Sequence, residues 1–343
     1  MIEQDELRSA PLAEAGRHFL LRPDVTFLNH GSYGACPAPV FETYQRWQRE
    51  LESEPVEFLG RRIRPLLAEA LRDVTATVES IPLIAASIMS KKLAIGPSHL
   101  LLDVKVGAGA FMKNEADARL LAETMARIGE DAGVRTVALL SAMEQPLGRA
   151  VGNALEIVET VAILRGEGPE DITDLCVHEV ATLLVMAGLA RDEAEGERRA
   201  HKAITDGAGL AKLREVVAAQ GGDPAQIDDP GLLPQARWVG MIEAPRSGYI
   251  AAIHAEKVGV ASVRLGAGRA RKGDPIDPSV GFILQAKVGD HVEKGQPLIE
   301  VHARTATAGK AVRSALLAAY TWSDERVAVP PLLLGSTSSA ERY

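Results

Sequence analysis

Cysteine is scarce. Cys36 and Cys176 are the two in 343 residues, with no Cys-x-x-Cys pair and no histidines at zinc-ligand spacing, so neither a disulfide framework nor a structural zinc site is predicted. Basic residues are in deficit as well. Lys and Arg total 38 against 46 Asp and Glu, a formal charge of -8, which argues against a general nucleic-acid binder because phosphate neutralisation needs clustered cations. A local basic pocket for a small anion stays open. No apolar run suits a bilayer, since the longest, around "LCVHEVATLLVMAGLA", is broken by His178 and Glu179. The opening "MIEQDELRSA" is acidic and has no apolar h-region, so a cytoplasmic protein without a secretory signal is expected.

What is present divides into three regions. Residues 1–70 carry helical patterns near 39–53 and 56–71, set off by the turn-rich "NHGSYGACPAP". From there to about 236, short apolar runs at 99–106 and 135–140 read as buried strands. They alternate with helices near 82–94, 115–130, 151–164, 169–188, 191–204 and 209–219, an α/β signature. The segment 219–236 is dense in Gly, Pro and Asp and reads as a linker. Beyond it, "GYIAAIHA", "GVASVRLGAG", "GFILQAKVGD" and "QPLIEVHA" read as β-type runs of a small domain, followed by a helix near 308–320 and a tail over 326–343.

If 82–94 is a helix, Ser87 and Lys91 are four apart and share a face, and Arg72 precedes the strand leading into it. A guanidinium, a hydroxyl and an ammonium in one place suit a planar ring whose carbonyl oxygens flank an N–H, as in a pyrimidine. From spacing alone, an Arg at an element end and a Lys beside another Lys (Lys91, Lys92) are usually solvated surface charges.

The motifs "ALRDVTATVESIPLIAASIMSKKLA", "DVKVGAGAFMK", "QPLGRAVGNALE", "AQGGD", "SGYI", "LGAGR" and "KVGDHVEKGQPL" together resemble the thymidine and pyrimidine-nucleoside phosphorylase family over about residues 71–320. The resemblance implies a partial phosphorylase α/β domain over 71–236. It implies a small C-terminal α+β domain of barrel-sandwich-like shape over 237–325. The activity it implies is phosphorolysis of a pyrimidine nucleoside, with phosphate as co-substrate and no organic cofactor. It assigns base binding to Arg72, Ser87 and Lys91, with Arg72 and Lys91 catalytic. It also implies part of a monovalent-cation (K+) site, on the backbone of Leu147 and Ala150 and the carboxylate of Glu159. The family forms homodimers and needs neither nucleic acid nor membrane. Phe111 and Met112 are as consistent with core as with a base pocket. "GAGLAK" (207–212) and "GAGRARKGD" (266–274) lack the full phosphate-loop spacing. No hairpin Met-Lys-Met accompanies "KVGDHVEKGQPLIEV", which argues against a biotinyl or lipoyl carrier.

Two departures stand out. The Lys-His-Ser motif and Gly-rich loop that the resemblance leads one to expect for phosphate occur nowhere in the 343 residues, and residues 1–70 instead resemble the start of class V aminotransferase-fold, isopenicillin-N-epimerase-like proteins through "FLNHGSYG". The lysine domain that pyridoxal-phosphate chemistry requires does not follow. The position three before Arg72, commonly a tyrosine in the family, is Glu69. Two readings follow: a phosphorylase of impaired turnover, or a non-catalytic module that keeps the pyrimidine half-site after a gene fusion.

Overall fold

A computed structural model describes residues 80–269, 271 and 273–338, and the chain divides into two units, 1–97 and 98–343. In the first unit the described residues form α1 (Ile81–Leu93). Proline is admitted in its first turn, where an N–H would have no intrahelical partner, and Lys91 and Lys92 occupy its last turn, where cations oppose the negative end of the helix dipole. Ala85 and Met89, one turn apart, are fully buried.

The second unit opens with β1 (His99–Val106), α2 (Glu115–Asp131) and β2 (Arg135–Ala142), a βαβ unit whose strands pair in parallel with Leu102 opposite Ala138. The Asn114 side chain caps α2 by accepting the Asp117 amide at 2.9 Å. Ala118, Leu121, Ala122 and Met125 then form a buried stripe at helical spacing. At the end of α2 a Cβ on Gly129 would lie 1.9 Å from Thr136 Oγ1. Glycine is therefore what allows the helix to close onto β2. The short β3 (Ala150–Gly152) precedes four helices, α3 (Asn153–Leu164), α4 (Glu170–Met186), α5 (Glu193–Thr205) and α6 (Ala208–Ala219), and the single turn α7 (Ala225–Asp228) lies within the segment read as a linker.

The remaining elements are β4 (Trp238–Glu243), β5 (Gly248–Ile253), α8 (Ala255–Leu265), β6 (Gly281–Leu284), β7 (His291–Val292), β8 (Pro297–Ala303), α9 (Ala306–Ala311), α10 (Arg313–Leu317), β9 (Tyr320–Ser323) and β10 (Leu333–Ser338). Among the described residues three sheets form, ordered β1-β2-β10, β3-β6-β8-β4 and β7-β5-β9. The second and third sheets share one core, in which Ile250, Phe282, Leu284 and Leu298 are 0% exposed. Each such side chain contributes about 1.5–3 kcal/mol of apolar burial. Among the described residues no helix is long and apolar enough to cross a membrane.

The structure departs from the sequence reading at several points. "GVASVRLGAG" was expected as a β-type run, but its first seven residues lie in α8. Val258, Ala261, Ser262 and Leu265 fall at i, i+3, i+4 and i+7 and are all buried, and that stripe outweighs the β preference of the valines. The helix expected over 308–320 is split into α9 and α10, and Tyr320 pairs with Ile253 in a sheet instead. Residues 326–343, expected as a tail, contain β10, which pairs antiparallel with β2 and covers its outer edge. Composition also placed a boundary at 236/237, yet β3, well before it, pairs with β6, well after it.

Candidate functional site

The carboxyl ends of a parallel strand pair are where open α/β sheets expose their loops to ligands. Here the loops after β1 and β2 are stitched together. The Gly109 amide donates to the Met143 carbonyl at 2.8 Å, the Met143 amide to the Val106 carbonyl at 2.6 Å, and the Ala108 amide to Glu144 Oε2 at 3.1 Å. The second loop continues as "QPLGRA" (145–150) into edge strand β3.

That loop is held from three directions. From α3, Glu159 Oε1 accepts the Arg149 amide at 2.8 Å and the Ala150 amide at 3.0 Å. From the first turn of α4, Asp171 Oδ2 accepts the Gly148 amide at 3.2 Å. From the turn after β6, Lys287 Nζ donates to the carbonyls of Pro146 and, at 2.6 Å, Gly148, and to Asp171 Oδ2 at 2.9 Å. The neighbouring Val288 amide donates to Gln145 Oε1 at 3.0 Å. Arg149 reaches back from the loop, its Nη1 donating to the carbonyls of Leu284 and Gln285 at 3.1 and 2.7 Å. Gly148 adopts φ +67°, and a Cβ there would lie 2.3 Å from Glu159 Oε2. The turn and the close approach of the carboxylate both require glycine.

Charge in this cluster is only partly solvated. Burial raises the Glu159 carboxyl above its ordinary range, with Asp171 adding to the shift and the two amide donors and Lys287 opposing it. Burial likewise lowers the Lys287 ammonium, while Asp171 supports its charge. Leu147, Ala150 and Glu159, which the family resemblance implies form part of a monovalent-cation site, line one cavity of about 310 Å³ together with Pro146, Ala255 and Val258. Arg149 pairs with β6 through its carbonyl. By antiparallel alternation, the next residue, Ala150, turns its own backbone polar groups away from that strand. Glu159 Oε2 and the Leu147 carbonyl have no hydrogen-bond donor among the described residues. Carbonyl and carboxylate oxygens are the ligands alkali cations take, so these residues fit such an ion.

Ser87 and Lys91 lie one turn apart on α1, both exposed, about 200° and about 240° around the helix from the Ala85 position by the 3.6-residue repeat. Arg72 and Glu69 lie outside the described residues. Phe111 is exposed and Met112 buried. "GAGLAK" opens α6 directly after α5 rather than after a strand, so the strand-loop-helix context of a phosphate loop is not met there.

Sequence reasoning missed Lys287 and Asp171. Lys287 stands in "KVGDHVEKGQPL", read there as a domain signature, and Asp171 passes for an ordinary acid in a helix's first turn. It also missed a polar cluster on one face of β1 and β2. There Ser141 Oγ donates to Asp103 Oδ1 at 2.5 Å, and Lys105 Nζ lies 2.5 Å from Asp103 Oδ2 and 3.0 Å from Ser141 Oγ. Glu179 of α4 approaches them, its carboxyl raised first by burial and then by Asp103.

Two family models match the chain: the glycosyl transferase family a/b domain over residues 47–210 and the pyrimidine nucleoside phosphorylase C-terminal domain over 249–323. The first match begins upstream of position 71 and takes in residues 47–70. The pyrimidine-nucleoside phosphorylase of Geobacillus stearothermophilus is 49% identical over 233 residues, 68% of this chain and 54% of the relative. That of Bacillus subtilis (strain 168) is 49% identical over 234 residues, with the same shares. That of Staphylococcus aureus (strain N315) is 48% identical over 233. The chain spans about half the length of the curated relatives it matches.

Proposed function

The chain belongs over its matched residues to the pyrimidine-nucleoside phosphorylase family, and from that premise we propose that it binds a pyrimidine nucleoside for cleavage of the N-glycosidic bond by phosphate. The observation that carries this reading is the 49% identity to a named pyrimidine-nucleoside phosphorylase over two thirds of the chain. Ser87 and Lys91 on one exposed face of α1 are consistent with it. Cleavage leaves negative charge on the oxygens of the departing ring. Cationic donors from Arg72 and Lys91 stabilise that charge more than they stabilise the neutral nucleoside, and Ser87 orients the ring by a hydrogen bond. A monovalent cation held by Leu147, Ala150 and Glu159 supplies, when bound, the positive charge that fixes the 145–150 loop.

A second reading is favoured by one observation: no Lys-His-Ser motif for phosphate occurs in the sequence. On that reading the chain is a pyrimidine-binding module with turnover at or near background. The test is the purified chain with uridine or thymidine and phosphate, following free base, beside calorimetric titration with uracil. Release of base, reduced by Lys91→Ala by roughly a hundredfold for a lost donor of about 3 kcal/mol, establishes phosphorolysis. Uracil binding without release establishes the module. No binding of nucleoside or base refutes both.

A further inference from the structure

Among the described residues, Lys287 is the one cation whose ammonium enters the 145–150 loop from the C-terminal part of the chain, and its side chain is 12% exposed. An ammonium has three protons to donate, and here each has an acceptor: the Pro146 carbonyl, the Gly148 carbonyl and Asp171 Oδ2. Such saturation at a desolvated site is what makes a buried charge tolerable. It also fixes which loop carbonyls face which way. The carbonyls of residues 146 and 148 are committed to Lys287, while Leu147 and Ala150 line the cavity with Glu159, and Lys287 is absent from that lining. Pro146 lines the cavity as well, but its carbonyl accepts from Lys287, whereas the Leu147 carbonyl has no donor among the described residues.

We infer that Lys287 is a positioning residue of the cation loop: its ammonium holds the Pro146 and Gly148 carbonyls back so that the Leu147 and Ala150 carbonyls and Glu159 are presented to the cation, making cation binding depend on the C-terminal domain. The inference rests on the cation part of the proposed function and on no part of its nucleoside chemistry.

The test is thermal unfolding of the full chain in KCl against tetramethylammonium chloride at equal ionic strength, read as the K+-dependent rise in Tm. Wild type is expected to show a saturable rise, and Lys287→Met to lose most of it, with the half-saturating K+ concentration raised tenfold or more. An undiminished rise in Lys287→Met makes Lys287 a structural contact only and overturns the inference. A larger rise at lower K+ means that the ammonium competes with the cation and overturns it equally. Should Lys287→Met show no cooperative transition, Asp171→Asn, which removes the charged partner and keeps the side-chain shape, is expected to weaken the K+ response in the same direction; an unchanged response there counts against the inference. A wild type indifferent to K+ also refutes it, and leaves uracil binding by the Arg72, Ser87 and Lys91 site to be judged separately.

Discussion

Truncating Glu159 to alanine removes the acceptor of two backbone amides at once, and the cost follows from where those amides lie. The Ala150 residue is 8% exposed, so its N–H, now 3.0 Å from Glu159 Oε1, would be left without a partner in a place water reaches poorly; such a donor costs about 1–3 kcal/mol. Arg149 is half-buried, and water can replace part of its bond, a loss of about 1 kcal/mol. The sum is about 3 kcal/mol, reduced by relief from desolvating a carboxylate whose ionisation burial already disfavours. Glu159→Gln keeps an oxygen for both amides and discards the charge, so it is expected to cost about 1 kcal/mol or less. Urea unfolding at fixed K+ measures both variants in a Trp47→Phe background, where Trp238 and Trp322, both packed against the 242–320 core, report on the second unit. If Glu159→Ala proves no less stable than Glu159→Gln, the two amide bonds do not hold the loop and the site is misread.

Two further outcomes follow from other parts of the fold. Gly129→Ala places a methyl group 1.9 Å from Thr136 Oγ1 and 2.8 Å from its Cβ, so the α2–β2 contact must open. A loss of about 1–3 kcal/mol is expected, measured by the same urea curves, and an unchanged midpoint would refute the close approach. At Glu179 the folded-state carboxyl lies above its ordinary value of 4.5. The proton is therefore held more tightly folded than unfolded, so this group's contribution to stability is fully present below pH 4.5 and is lost as pH rises through the folded pKa. Glu179→Gln is expected to be more stable than wild type at neutral pH, with the difference in Tm shrinking toward pH 4.5. A difference that grows on acidification would reverse the assignment.

Local pattern carried the α/β half of the fold well. The short apolar run "HLLLDVKV" and the i, i+3, i+4, i+7 stripe of α2 each arise from contacts within one element or with its sequence neighbour, so local pattern records them. What it could not record are pairings decided by distant partners. β10 is polar, Gly335-Ser336-Thr337, and becomes a strand because the unpaired edge of β2 supplies its hydrogen bonds. The β-branched residues of α8 favour extension locally, yet the core formed with Phe282, Leu298 and Val301 selects the helical stripe.

The same distinction governs the candidate site. Leu147, Ala150 and Glu159 lie within thirteen residues of one another and came from a motif; the structure gathers them because α3 turns back on the loop that feeds it. Lys287 is separated from Gly148 by 139 positions and meets it only because β3 crosses into the sheet of the C-terminal domain and β6 delivers the following turn to its edge. A loop whose carbonyls are divided between an ammonium from one segment and a cavity formed by another keeps its shape only while both segments are docked. Displacing the β6–β7 turn would therefore be felt first at residues 146–150, and only through them at Glu159.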